Sequence, residues 1–306
     1  MTAPKEWRLH FGLHKTATTH LQDTLYHQRG ALAEAGISVV PRVASRDASL
    51  GRIFCGIGWR GYLPVAVRRQ MGSAVLHRLG CAGPVIVWSE ENLIGRPEDL
   101  ILDLMYPRME SRLRSLAAAT DGGRRHLFLS IRDPAAMLPS IYAQSLRAGP
   151  PAVGFNELLR RWLQRPPQWS GLAARIRAAI PSAPLVVWTM DAYARNPQRS
   201  LTFLAGTDHV MDLDLSPPPA TRRPSAEAVA ALEALPRGLR ASDWRARAAA
   251  ILGRDDGATP FAPLSPEQQT TLGDAYLADL GKLRADGVAV LDDQSQLGSS
   301  GKDGLT

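Results

Sequence analysis

The sequence predicts an α/β fold: a central parallel sheet flanked by helices, continued by a helical C-terminal extension. Two observations carry that expectation. Strand-length apolar patterns alternate with helix-length segments over residues 7–205, and a complete strand–loop–helix–strand unit occupies residues 7–40. In that unit Trp7, Leu9, Phe11 and Leu13 alternate with other residues, which is the period of a strand. A helical pattern follows from about Thr18 to Ala35, with Leu21, Leu25 and Leu32 along one side. Gly36 stops it, and Ile37–Val40 forms a second short strand closed by Pro41. A unit of this kind implies parallel neighbours.

The remaining elements continue the alternation. A weak helical stretch near Tyr62–Leu79 precedes Pro84–Trp88, a continuous apolar run that ends in Ser89-Glu-Glu-Asn92. Such a run reads as a buried strand whose end meets a cleft. A helix over about Tyr106–Ala119 leads to the strand His126–Ile131 and then to Arg132-Asp-Pro134. Pro134 suits the first turn of a helix reaching Arg147. Helical patterns at 155–164 and 170–180 precede a last strand, Leu185–Thr189. After about residue 212 the chain turns to Ala- and Arg-rich helix with Gly and Pro breaks, and from Asp292 the Gly-, Ser- and Asp-rich tail is expected to be disordered. The expectation is one domain over 1–291: a core of about 7–212, a helical extension of about 213–291, and the tail 292–306.

Composition narrows the function class. The 306 residues carry 36 Lys+Arg against 29 Asp+Glu, a net charge of +7, with two cysteines. Cys55 and Cys81 make no disulfide framework, and no apolar run reaches the roughly 18–20 residues that cross a bilayer. The N-terminus has no secretory pattern. A reduced, cytoplasmic setting is expected. A basic balance suits nucleic acid, a membrane surface or a small polyanion, but no basic run with interleaved aromatics marks a nucleic-acid footprint. Only four basic residues are lysines, Lys5, Lys15, Lys282 and Lys302, so Lys15 in the first strand–helix loop stands out.

That loop, Gly12-Leu-His-Lys-Thr-Ala-Thr-Thr19, follows a strand and opens a helix. Backbone N–H groups and the helix dipole then point at an anion, and Lys15 with Thr16, Thr18 and Thr19 completes a phosphate cradle. The bland alternative is an ordinary turn with a solvated lysine. The nucleoside-triphosphate pattern Gly-x-x-x-x-Gly-Lys-Ser/Thr is not met, because Gly12 lies three residues before Lys15 and Ala17 stands where a glycine is expected. Arg132 ends another parallel strand, where ligands of open α/β sheets bind, and Ser140 follows two helical turns later. They either grip a second phosphate or leave Arg132 paired with a surface carboxylate.

Together these residues carry a resemblance. Gly12–Thr19, followed by Leu21-Gln22, is similar to the 5′-phosphosulfate loop of bacterial sulfotransferases that use 3′-phosphoadenosine 5′-phosphosulfate (PAPS). Leu129–Tyr142 resembles the family's 3′-phosphate motif, an Arg and a Ser eight residues apart after a strand. Ser89-Glu-Glu resembles the segment after the third strand, and Asn196-Pro197 and Arg222-Arg-Pro-Ser225 are weaker matches. The resemblance implies a P-loop-NTPase-like sulfotransferase architecture. It further implies PAPS as sulfuryl donor, no required metal, and transfer to a hydroxyl or amine by in-line displacement. Lys15 would steady the leaving phosphate, with Thr16, Ala17, Thr18 and Thr19 lining the 5′-phosphate, Arg132 and Ser140 holding the 3′-phosphate, and Arg222 closing over the nucleotide.

The base that deprotonates the acceptor is open among Glu90, Glu91 and His14. Successive side chains of an extended segment point opposite ways, which favours Glu90 alone facing the cleft. The competing reading of this pair is a carboxylate capping the next turn or pairing with Arg96. His10, His20 and His27 read as structural or surface residues, and no metal spacing connects the histidines. Residues 42–83 and about 148–170 are expected to form the acceptor pocket, for a small molecule, a glycan or a lipid. Peripheral membrane contact and oligomeric state stay open. Other functions compatible with the loop are a P-loop small-molecule kinase using ATP and a non-catalytic nucleotide- or polyanion-binding module, the latter supported by Ala17.

Overall fold

The computed structural model describes residues 5–206, 224–255 and 259–292. Six strands form one all-parallel sheet: β1 (Glu6–Gly12), β2 (Ile37–Val39), β3 (Val85–Ser89), β4 (Arg124–Ile131), β5 (Leu185–Thr189) and β6 (Ala289–Leu291). The order across the sheet is β2-β3-β1-β4-β5-β6. The chain therefore leaves β1 toward one edge and leaves β4 toward the other, so loops diverge at the carboxyl ends of β1 and β4. That divergence opens the crevice in which open α/β sheets hold ligands.

Side-chain alternation builds two cores, one on each face. Leu9, Phe11, Ile86, Trp88, Leu127, Leu129 and Val187 pack on one face. Val87, Phe128, Val186, Trp188 and Leu291 pack on the other, against Leu21, Leu25, Leu201 and Leu204. On this second face β1 contributes not apolar residues but Arg8 and His10, both buried. Arg8 donates from Nε to Leu204 O at 2.7 Å and from Nη2 to Phe203 O at 2.8 Å. It thus caps the end of the Pro197–Ala205 helix, where unsatisfied carbonyls and the dipole favour a cation.

The expected helix over 18–35 is split into Thr18–His27 and Arg29–Glu34, and Gly36 ends it at φ 78°. The expected helices elsewhere form as Val65–Arg78, Met109–Ala119, Pro134–Ala148, Phe155–Gln164 and Trp169–Ala179. The C-terminal extension is helical over Ala226–Glu233, Ala241–Arg254 and Pro266–Ala285, and then adds the sixth strand. Three residues were too few for a periodicity to announce. The core boundary near 212, Arg222 and nearly all of the tail lie outside the described residues. Cys55 and Cys81 are buried free thiols, pushed up to about 12 and about 11 by burial. Among the described residues no helix is long and apolar enough to cross a membrane.

The extension is wired to the core by one buried carboxylate. Asp279, 2% exposed, accepts from Trp169 N at 2.5 Å, from Ser170 N at 3.0 Å and from the Ser170 hydroxyl. It supplies from a distant helix the cap that the local residue Gln168 does not provide, and an anion suits a helix N-terminus. Asp279→Ala leaves two N–H groups and a hydroxyl unpaired, so a loss of about 2–4 kcal/mol is expected. Urea unfolding checks it: the midpoint should drop with an unchanged slope, and a midpoint equal to that of the unsubstituted protein would show that the cap is dispensable.

Candidate functional site

The loop Leu13–Ala17 lies over the ends of the three central strands and is held from below by a chain of polar side chains. His10 bridges neighbouring strands, its Nδ1 2.8 Å from Ser89 Oγ on β3 and its Nε2 3.1 Å from Ser130 Oγ on β4. Ser130 Oγ is in turn 2.6 Å from Thr16 Oγ1, which donates to Leu13 O at 2.6 Å. One direction of donation puts a proton in every contact. Thr16 gives to the Leu13 carbonyl, Ser130 to Thr16, the His10 Nε2–H to Ser130, and Ser89 to the bare Nδ1. Complete burial pushes the His10 pKa down to about 3, so the ring is neutral as this chain requires. The ring also stacks on Trp188 at 4.7 Å.

The loop backbone is strained. Lys15 has φ 73° and Ala17 has φ 60°, left-handed values that cost an L-residue about 1–2 kcal/mol each and that gather at ligand clamps. Ala17 thus holds the conformation for which a glycine was expected at this position. Gly12 is needed for a different reason: a Cβ there would lie 2.1 Å from Thr18 Oγ1. From the far side of the crevice Arg132 donates from Nη1 to the Lys15 carbonyl at 2.9 Å, and its own carbonyl accepts from Trp169 Nε1 at 3.1 Å. Gln22 ties the following helix to Ser89 O at 2.7 Å.

The sequence-derived candidates thus divide. Lys15, Thr16, Ala17, Thr18 and Arg132 meet at the β1–β4 crevice. Thr19 is exposed on the first turn of its helix, and Ser140 lies nearly two turns into the Pro134–Ala148 helix, buried. Arg222 lies outside the described residues. Thr16 and Thr18 are buried, and the Thr16 hydroxyl is committed beneath the loop.

The carboxylates after β3 also divide, in a way that the alternation argument did not anticipate. Glu90 is 4% exposed and fully engaged: Arg46 grips it with Nε at 2.7 Å and Nη2 at 2.8 Å, and it accepts from Asn92 N at 3.0 Å and Nδ2 at 2.6 Å. It both caps the next turn and forms an ion pair, with Arg46 as partner. Glu91 shares only a longer contact to Arg46, 3.5 Å. Burial raises its pKa, opposed by Arg46 and, more weakly, by Lys15. Strand geometry does not send the two apart, because the chain leaves β3 into a 3-10 turn at Glu91–Leu93.

His14, 1% exposed, places Nδ1 3.0 Å from Tyr106 Oη, while its Nε2 is buried without a hydrogen bond. Burial pushes it down to about 4 against the opposing pull of Asn92 and Glu90, so it is neutral at pH 7. His10 was read as structural or surface, and its role beneath the loop could be found only from the pairing of β1 with β3 and β4. His20 meets Tyr193 Oη at 2.6 Å, and His27 bonds Asp23 O at the surface.

No protein-family model matches the chain, and no curated protein matches it. Among solved structures, a sulfotransferase from Alicyclobacillus acidocaldarius matches with a TM-score of 0.42 and 15% identity, over 84% of this chain and 99% of that chain. A likeness that distant does not bear on activity.

The neutral His10 makes the protein acid-sensitive. An unfolded imidazole titrates near 6.5 and the folded one near 3, so between those values the unfolded chain binds a proton that the fold refuses. Stability is complete above pH 6.5 and is lost as pH falls, by about 1.4 kcal/mol per pH unit, or about 2 kcal/mol at pH 5 from this residue alone. Urea midpoints at pH 7 and pH 5 should fall steeply in the unsubstituted protein and less in His10→Gln. An identical fall in both would assign the sensitivity elsewhere.

Proposed function

We propose that the chain is a PAPS-dependent sulfotransferase acting on a hydroxyl or amine acceptor. The observation that carries this reading is the clamped loop: a cationic strand–helix loop with two left-handed residues, closed by Arg132 at the divergence of β1 and β4. Strain of that kind is retained where surrounding contacts enforce it, commonly at ligand clamps. The donor set fits a bisphosphate nucleotide: Lys15, Arg132 and the hydroxyls of Thr18, Thr19 and Ser140 are hydrogen-bond donors suited to two separate phosphates. The hydroxyl that in a triphosphate P-loop reaches Mg²⁺ follows the lysine. Here that residue is Thr16, whose hydroxyl is turned into the fold. This favours sulfuryl transfer over a kinase reaction.

When bound, PAPS supplies a sulfuryl group on a phosphate that is already a good leaving anion. Lys15 steadies the charge that develops on the departing phosphate oxygen. Glu91 takes the proton from the acceptor O–H while the new S–O bond forms and the bond to the 5′-phosphate breaks, leaving adenosine 3′,5′-bisphosphate. Glu91 suits this role better than Glu90, because its carboxylate is not locked by two arginine bonds, and its raised pKa makes it a stronger base than an ordinary glutamate. Neutral His14, near Glu90 and Asn92, is the second acceptor for that proton.

Isothermal titration with adenosine 3′,5′-bisphosphate, without Mg²⁺, should show binding. Lys15→Ala and Arg132→Ala should each weaken it about 10- to 100-fold, the worth of a lost charge-assisted bond. Unchanged affinity in both, or binding of ATP that requires Mg²⁺, would sink the nucleotide assignment.

Glu91→Gln should lower transfer about 10²–10⁴-fold while leaving bisphosphate affinity intact. Activity of the unsubstituted protein should fall as pH drops through the raised pKa of Glu91, since the base must be ionised. That acid limb should be missing from the residual activity of the variant, and a limb that survives would hand the role to His14.

A further inference from the structure

A cavity of about 310 Å³ opens beside the end of β3. Arg46, Arg52, Arg96 and Arg112 stand in its wall with a single carboxylate, Glu90, giving four cations against one anion and a local balance of +3. That one anion is already held by Arg46. Asp99, a further carboxylate acting on Arg112, uses Oδ2 to accept from the Arg96 backbone N–H at 2.8 Å. Burial lowers the pKa of Arg112, and Arg96 and Arg108 lower it further, the direction expected of cations short of counter-ions.

The apolar wall carries a second, independent sign. Trp88 lines the cavity, is 1% exposed, and has an Nε1–H without a hydrogen-bond partner. A buried donor left unpaired is costly, and a bound acceptor oxygen would satisfy it. Glu90 and Asn92 belong both to this cavity and to the surroundings of His14, so the cavity adjoins the place where the proton is taken up.

We propose that this cavity is the acceptor subsite and selects an acceptor that carries a carboxylate or sulfate group close to the hydroxyl receiving the transfer. The proposal rests on the sulfotransferase reading for the word acceptor. The anion preference rests on the arginines and Trp88 alone. A carboxylate or sulfate oxyanion suits paired guanidinium forks, which bind it through two parallel hydrogen bonds.

Two probes differing at one carbon test it: p-nitrophenyl β-glucuronide, with a carboxylate, and p-nitrophenyl β-glucoside, with a neutral hydroxymethyl group. Each is titrated calorimetrically with and without saturating adenosine 3′,5′-bisphosphate. The glucuronide should bind about tenfold or more tightly than the glucoside, the worth of one charge-assisted contact. The double variant Arg52→Gln/Arg96→Gln, at two exposed side chains, should erase that preference without changing bisphosphate affinity. Trp88→Phe should weaken the glucuronide with circular dichroism unchanged. Equal binding of both sugars, binding of neither, or a preference that survives the double variant overturns the proposal. Absence of bisphosphate binding alongside an intact glucuronide preference would instead overturn the sulfotransferase reading and leave the anion site standing.

Discussion

The crevice depends on a neutral imidazole in the middle of the sheet. His10 sits on β1 opposite Ser89 and beside β4, and its neutral ring accepts from one neighbouring strand and donates toward the other. If it were charged, both ring nitrogens would be donors, the bond from Ser89 would lose its acceptor, and an unpaired cation would be buried. Its full burial keeps it neutral. The three strand ends and the Thr16 side chain are thereby fixed relative to one another, and the Leu13–Ala17 backbone is bent over them.

Fixing the loop from below is what makes its strain tenable. Two left-handed L-residues cost about 2–4 kcal/mol together, a large part of the stability of an ordinary domain. The opposing terms are the buried hydroxyl chain, the close seat of Thr18 on Gly12, and the bond from Arg132 to the Lys15 carbonyl. Arg132 is itself positioned through its carbonyl by Trp169, and the first turn of the Trp169 helix is capped by Asp279 from the C-terminal extension. A connected line of hydrogen bonds therefore runs from the extension to the loop. The extension also adds β6 to the sheet beside β5.

Much of this was legible in the sequence, and the limit is set by contact distance along the chain. Five of the six strands and the longer helices between them follow from local period, because burial on two faces imposes a pattern within each segment, whereas the short helices Arg42–Asp47 and Leu50–Phe54 carry no such pattern. The loop and Arg132 were legible because each occupies a strand end. Glu90 and Glu91 were not separable, since the partner that tells them apart, Arg46, is 44 residues away and arrives only when the chain has folded. His10 was invisible as a keystone for the same reason: its partners lie 79 and 120 residues distant. Ala17 could be read only as a missing glycine. The structure shows that the conformation glycine would supply is adopted anyway, held by its surroundings.

The two kinds of cation in the molecule follow the same physics. Arginine supplies planar forks with several fixed donors, and it is used where geometry must be enforced: on Glu90, on the Lys15 carbonyl, on the end of the Pro197–Ala205 helix, and around the cavity. The proposed transfer asks for something different, a compact charge that can follow a phosphate oxygen as it departs. Lysine is that point charge on a flexible stem, and in a chain with only four of them one lies in the strained loop. The scarcity of lysine elsewhere is thus the reason that position 15 can be told apart from the general basic surplus, and its backbone is the part of the loop that Arg132 grips.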